Sequence, residues 1–496
     1  MQLMLFPTRF KASLRSVAVF ALVGLFALPT HAGTGALANK IDPYFLQKDA
    51  PRAEWGVQVV DLKTGERLYD YNGERRMTPA SVVKLITTAT ALDQLGSQFT
   101  FSTQLILPKQ NWRETGTIQG DVVLRGGGDP SFMSTDGKGG QEVFERWAAT
   151  LKKMGLREIQ GRIVADDTLY VDEPLPPGWL EEDLNSSFAA EPSALTVRKG
   201  TVAWRIPSRK KNPDAPVRLR FYPETGYLSY SVRKDREARY ILVGRKLGSN
   251  EVLVRTPTRK VGLQAMSGEM TVHNPSGYAA AWLKDALRDA GIRVRGEAVD
   301  ADTIEGYQAS TDAEVWTHYS WPLARLVRET NKRSINLFAE NFLLQLGVSG
   351  DQAGSRQRGL ARVQQFLAQA GVELKQALLF DGSGLSIDNR LSAAALMKLL
   401  RYMHRHPEAE AFRKSMAIAG RDGTLRWRFG ETELEGRVLG KTGTMQGVRT
   451  VAGYIDTPGG RSLAYVLLSN KVRSSRAVRN FQDRLLRGIV RAADGA

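Results

Sequence analysis

No cysteine occurs anywhere in the 496 residues, so whatever fold the chain adopts is held by buried apolar surface, without disulfides or thiolate-bound metals. The same absence narrows the chemistry, because a nucleophile must then be serine, threonine, lysine or a carboxylate. The length exceeds what one ordinary core serves and points to two or three domains. A composition that is 42% hydrophobic and 24% charged, with no extended low-complexity tract, is that of a globular chain.

The N-terminus has the pattern of an export signal. Arg9, Lys11 and Arg15 precede the apolar run Val17 to Leu28, followed by Pro29 and Thr30-His31-Ala32, with cleavage expected after Ala32. That run of about twelve apolar residues falls short of the roughly twenty that cross a bilayer, and no later segment has a spanning pattern. The expected location is the periplasm. The formal charge is +17, of which residues 1–32 contribute three. An exported chain this basic is expected to meet anionic wall polymers or lipid headgroups rather than nucleic acid, and peripheral membrane association stays open.

Trp55 to Leu62 and Glu66 to Tyr71 read as two strands joined by a Lys63-Thr64-Gly65 turn, an edge hairpin. Pro79-Ala80-Ser81 then opens a run with Val82, Leu85, Ile86, Ala89, Leu92 and Leu95 at helical spacing, ending at Gly96. This predicts a buried helix with Ser81 in its first turn. From about Phe99 to Leu195 the pattern is strand-rich, and from about 196 to 270 it consists of short strands with basic turns, an all-β insert. Helical periodicity returns at Tyr278 to Ala290 and from Trp321 through Leu346, with re-entry into the first domain near 313. Strands are expected around Lys441, at Val451 to Ile455 and at Ser462 to Ser469, with a Pro458-Gly459-Gly460 turn between the last two. A final helix, Ser475 to Ala493, places Val478, Phe481, Leu485, Ile489 and Val490 on one face; packing on the sheet is preferred over lying on a membrane.

A hydroxyl nucleophile needs an adjacent base, and five histidines supply few candidates. Neither a Gly-x-Ser-x-Gly elbow nor a His-Glu-x-x-His zinc motif is present, and His404-x-His406 reads as an exposed helix end. Ser81 and Lys84, three apart on a helix, share a face, so the amine reaches the hydroxyl. Burial beside other cations would lower the lysine pKa until it accepts a proton, and the helix N-terminus favours negative charge on Ser81. Spacing alone is weak evidence, since Ser208 and Lys211 repeat it in a charged, proline-flanked stretch that reads as a solvated loop.

Two further elements follow in order, Ser334-Ile335-Asn336 and Lys441-Thr442-Gly443-Thr444. The same trio occurs in β-lactamases and penicillin-binding proteins. Ser334 can relay a proton between Lys84 and a leaving amine, and Asn336 can hold Lys84 and the substrate amide. Lys441 can bind a substrate carboxylate and keep Lys84 neutral. Thr442 and Thr444 can donate to that carboxylate, and Gly443 lets a substrate backbone lie close. The N–H groups of Ser81 and Thr444 would form an oxyanion hole, about 3 to 4 kcal/mol per donor. The copy at Lys63-Thr64-Gly65 precedes the nucleophile and reads as a structural turn.

With these motifs go Gly128-Asp129-Pro130, Asp183-Leu184-Asn185, Thr330-Asn331-Lys332-Arg333, Asp381-Gly382-Ser383-Gly384-Leu385-Ser386 and Ala419-Gly420-Arg421-Asp422-Gly423-Thr424-Leu425. Together they resemble the D-alanyl-D-alanine carboxypeptidase/endopeptidase family of low-molecular-mass class C penicillin-binding proteins. The resemblance implies an α+β fold: a penicillin-binding, serine β-lactamase-like transpeptidase domain, an antiparallel sheet flanked by helices, with nested insertions. Its expected parts are 33–98 with 313–496, a second domain of 99–195 with 271–312, and an innermost all-β domain of 196–270. It implies hydrolysis of D-alanyl-D-alanine ends or D-alanyl-diamino acid cross-links of peptidoglycan stem peptides through an acyl-enzyme, with β-lactams as inhibitors and no metal or other cofactor. It further implies that Asp129 and Gln446 belong to a subsite for the diamino-acid side chain, although Asp129 could instead cap its turn. Many relatives carry arginine where this chain has Ile387, so a carboxylate contact is either missing or moved to Arg390. A β-lactamase and a non-catalytic wall-binding scaffold are the alternatives, and the oligomeric state stays open.

Overall fold

The computed structural model describes residues 33–134, 142–209, 215–258, 264–308 and 312–495. The expected export signal, residues 1–32, and Lys211 of the duplicate Ser-x-x-Lys lie outside them. The fold is α+β. Its largest sheet is antiparallel, in the order Arg67–Tyr71, Glu54–Asp61, Ser462–Asn470, Val448–Asp456, Val438–Met445, Ala417–Ile418. The N-terminal hairpin therefore joins the sheet through the last strand of the chain. Lys63-Thr64-Gly65 fills the hairpin turn, where the N–H groups of Lys63 and Thr64 donate to Asp61 Oδ1.

Side chains alternate across a strand, and here both faces are covered. Ala464, Val466 and Leu468 pack with the helices Val83–Leu95, Leu323–Arg333, Asn336–Leu346 and Ala393–His404. Leu463, Tyr465 and Leu467 face the other way, against the final helix Ser475–Asp494 and the first, Ala38–Leu46. The final helix thus uses its apolar stripe on the sheet. Among the described residues no helix is long and apolar enough to cross a membrane.

Residues from Ser102 onward build a second, five-stranded sheet in the order Ala298–Asp300, Ile163–Asp166, Val122–Arg125, Ser102–Pro108, Ala313–Tyr319. The helices Glu142–Lys153 and Pro275–Asp289 bury apolar faces with this part of the chain, which is therefore mixed rather than simply strand-rich. Between Thr201 and Thr271 all the described regular elements are strands, arranged as two three-stranded sheets. The expected re-entry near 313 meets a difference: Ala313–Tyr319 pairs along its length with Ser102–Pro108. Its sequence, with alternate residues half-buried, satisfies an edge position there.

Two helical readings also change in detail. The periodic stretch 321–346 is two helices, broken at Ser334, which takes the left-handed conformation at φ 61°, and Ile335. Ser81 lies in a 3₁₀ turn, Ala80–Val82, immediately before Val83–Leu95.

Candidate active site

The helix Val83–Leu95 runs through the centre of the body, where residues 83–92 are all buried, the polar Lys84, Thr87, Thr88 and Thr90 among them. Lys84, in its first turn, has no exposed surface. Its Nζ meets three oxygens: Ser81 Oγ at 3.0 Å, Asn336 Oδ1 at 2.5 Å and the Ser383 carbonyl at 2.7 Å. Asn336 Nδ2 donates to the Phe188 carbonyl at 2.7 Å, which turns Oδ1 toward the lysine. Two neighbours of Nζ can therefore only accept, whereas the Ser81 hydroxyl can donate. A neutral amine satisfies all three by giving two N–H bonds and taking the Ser81 proton into its lone pair. Burial lowers the Lys84 pKa to about 7, against the opposing pull of the Asp381 and Glu340 carboxylates.

Lys441 is equally buried. It donates to Ser334 Oγ at 2.9 Å and to the Thr442 carbonyl at 2.6 Å. Burial first, and the charge of Lys84 second, push it well below its ordinary value. The left-handed turn at Ser334 ends one helix and lets the next begin at Asn336, so residues two apart reach different lysines: Ser334 meets Lys441 and Asn336 meets Lys84.

The strand Val438–Met445 is paired on its outer side only at Leu439 and Gly440, by Ile418 and Ala417. From Lys441 to Met445 that edge meets no other described strand, which leaves backbone groups free for an extended peptide. A Cβ on Gly443 would sit 2.1 Å from Thr450 Oγ1, 2.9 Å from the Pro79 carbonyl and 3.0 Å from Ser81 N. The glycine is thus required by packing within the chain itself: a side chain there would strike Thr450 and the backbone of the Ser81 turn. Thr450 Oγ1 donates to the same Pro79 carbonyl at 2.8 Å. Thr442 is half-buried and Thr444 exposed, both beside an open cleft, and Gln446 is exposed at the following hairpin turn.

Asp129 is 2% exposed, and its Oδ1 accepts from Ser131 N at 2.8 Å and Ser131 Oγ at 2.7 Å. It therefore does cap its turn, while Oδ2 has no partner among the described residues and burial raises the pKa to about 6. Arg390 is engaged with Thr78 Oγ1 and with the carbonyls of Ile387 and Asn389. His404 is exposed, whereas His406 is anchored to Asp93 at 3.0 Å.

Glu340, one helical turn after Asn336, was not singled out from the sequence. Its oxygens accept from Gly382 N at 3.1 Å and Ser383 N at 2.8 Å, fixing the loop whose carbonyl holds Lys84. Burial and nearby Asp381 raise it to about 7. An acid inside the apolar run Asn336–Leu346 was the available signal. Away from this site, Asp167, Asp300 and Asp302 bring oxygens within 4.8 Å of one another. Asp167 accepts from Ser193, and Asp300 accepts from Asn274, Ser276 and the Asp302 N–H.

The family model described as the D-Ala-D-Ala carboxypeptidase 3 (S13) family matches residues 37–489. A D-alanyl-D-alanine carboxypeptidase from Actinomadura sp. (strain R39) is 32% identical over 429 residues, covering 84% of this chain and 77% of that protein. The D-alanyl-D-alanine carboxypeptidase DacB of Haemophilus influenzae is 26% identical, covering 91% of each. The crystal structure of penicillin binding protein 4 from Haemophilus influenzae superposes with a TM-score of 0.77 at 24% identity, over 91% of this chain and 99% of that one. That likeness identifies the fold.

Proposed function

This chain belongs to the D-Ala-D-Ala carboxypeptidase 3 (S13) family, and from that premise we propose that it is a serine DD-peptidase of the cell wall. It cleaves D-alanyl-D-alanine ends, D-alanyl-diamino acid cross-links, or both. The observation that carries the reading is the wiring of Lys84, whose Nζ lies 3.0 Å from Ser81 Oγ with its other two contacts on acceptors. In the proposed step Ser81 Oγ attacks the D-alanyl carbonyl and its proton passes to Lys84. The N–H groups of Ser81 and Thr444 receive the oxyanion, and Ser334 relays the proton held on Lys84 to the departing amine as its C–N bond breaks, leaving Lys84 neutral again. Thr442, Thr444 and Lys441 hold the carboxylate of the departing residue. Water then hydrolyses the ester.

The Oδ2 of Asp129, without a partner among the described residues, supports a role in recognising the diamino-acid side chain, with Gln446 as a second contact. We further read the chain as periplasmic after removal of residues 1–32, with nested domains divided as the sequence suggests, except that Ala313–Tyr319 goes with the second domain. The proposed residues need neither metal nor nucleotide to act.

The experiment is digestion of cross-linked and uncross-linked muropeptides followed by mass spectrometry, with Ser81→Ala beside the wild type. Products absent from the variant and a penicilloyl adduct lasting hours are the expected results. Unchanged cleavage by Ser81→Ala would refute the assignment, and an adduct lost within seconds would indicate a β-lactamase.

A further inference from the structure

A cleft of about 1170 Å³ opens beside Thr442, Gly443 and Thr444, walled on its far side by residues 421–428 and the start of the final helix. Nine arginine or lysine side chains line it, against two carboxylates. Both carboxylates are already engaged, Glu329 by Arg333 and Asp422 by Lys332. Arg328, Arg421, Arg476 and Arg479 have no ion pair among the described residues, and Arg449 donates to the Met445 and Val448 carbonyls. Burial and the neighbouring Arg479 hold the Arg449 guanidinium below its ordinary value, a repulsion that a bound anion relieves.

The imbalance is local. Further along the same helix Arg484 pairs with Asp49, and Arg487 and Arg491 pair with Glu433. The helix is thus neutralised away from the cleft and left charged at it, which a general membrane-facing stripe would not require. In the reaction proposed above, Thr442 and Thr444 hold the carboxylate of the departing group, so the cleft lies where that group goes. One alanine carries one carboxylate, whereas this space exceeds the roughly 300–1,000 Å³ that encloses a drug-sized ligand.

We propose that the arginine-rich cleft binds a carboxylate-rich peptide on the leaving-group side of Ser81, the partner stem of a cross-link, through guanidinium–carboxylate pairs. The inference rests on the peptidase reading. Its test compares the wild type with Arg476→Gln/Arg479→Gln on two substrates: a cross-linked muropeptide dimer, and a diacylated tripeptide that releases only D-alanine. The ratio of kcat/KM for dimer to that for tripeptide is expected to fall at least about tenfold, through KM. Penicillin acylation checks that the variant is folded and that Ser81 reacts.

Calorimetric binding of a free stem tripeptide, with its glutamyl and diamino-acid carboxylates, to the Ser81→Ala chain needs no turnover. It therefore reads the cleft even if the peptidase assignment fails, and the two arginine changes should weaken it by the same factor. An unchanged ratio, or an equal loss on both substrates, overturns the proposal. So does loss of binding to anionic phospholipid vesicles with the ratio intact, which assigns the cluster to a membrane.

Discussion

In the proposed mechanism the protonation state of Lys84 decides whether Ser81 can be activated. As an ammonium it has three hydrogens for three oxygens and no lone pair for the serine proton; as an amine it accepts that proton. With its pKa held at about 7, the active form is lost as pH falls through that value. Penicillin acylation measured by stopped flow between pH 5 and 9 is expected to level off above about 7 and to drop about tenfold per unit below it. A flat profile would remove Lys84 as the base. Gly443 makes a second test, because a methyl there meets Thr450 Oγ1 and the Ser81 backbone at once. Gly443→Ala should cost about 1–3 kcal/mol in urea unfolding, and slow acylation at least about tenfold by displacing the turn.

The break between Leu323–Arg333 and Asn336–Leu346 gives each lysine its own partner, and it was not legible in the sequence. Apolar periodicity runs through 323–346 without a proline or glycine to mark a stop, so the left-handed residue is a serine held there by tertiary contacts. The three motifs, the C-terminal strands and the final helix were legible because each couples a strong local pattern to a turn signal. Glu340 and the packing role of Gly443 were not, since both depend on a loop or strand distant in sequence. The strand Ala313–Tyr319 was missed as part of the second sheet because its partner lies about 200 residues earlier. Ser334→Ala tests the break directly. Alanine and serine bear the same Cβ penalty at positive φ, so the melting temperature should stay within about 2 °C. Lys441 loses an acceptor and the leaving amine its proton relay, so kcat on stem peptide should fall on the order of 10²-fold.

One helix, Asn336–Leu346, ties the surroundings of Lys84 to residues 128–193. Asn336 holds Lys84 and the Phe188 carbonyl, Glu340 holds the 382–383 loop, and Asn341 donates to the carbonyls of Gly128 and Ser193 at 3.2 and 3.0 Å. The segment from Glu173 to Ala194 is fastened to the catalytic loop as well, through Trp179 Nε1 to Asp381 at 3.0 Å and Ser386 Oγ to the Pro177 carbonyl. These contacts from residues 177–193 therefore brace the geometry of Lys84. Asn341→Ala removes no group from the proposed reaction but takes the side-chain donor from the Gly128 carbonyl, a loss of about 1–3 kcal/mol, and leaves the Ser193 carbonyl with Thr196 Oγ1. A lower urea midpoint is the expected result, together with slower penicillin acylation, because the strap bearing Phe188 is then free to release Asn336. A destabilised variant that acylates at the wild-type rate would show instead that the strap and the nucleophile are mechanically independent.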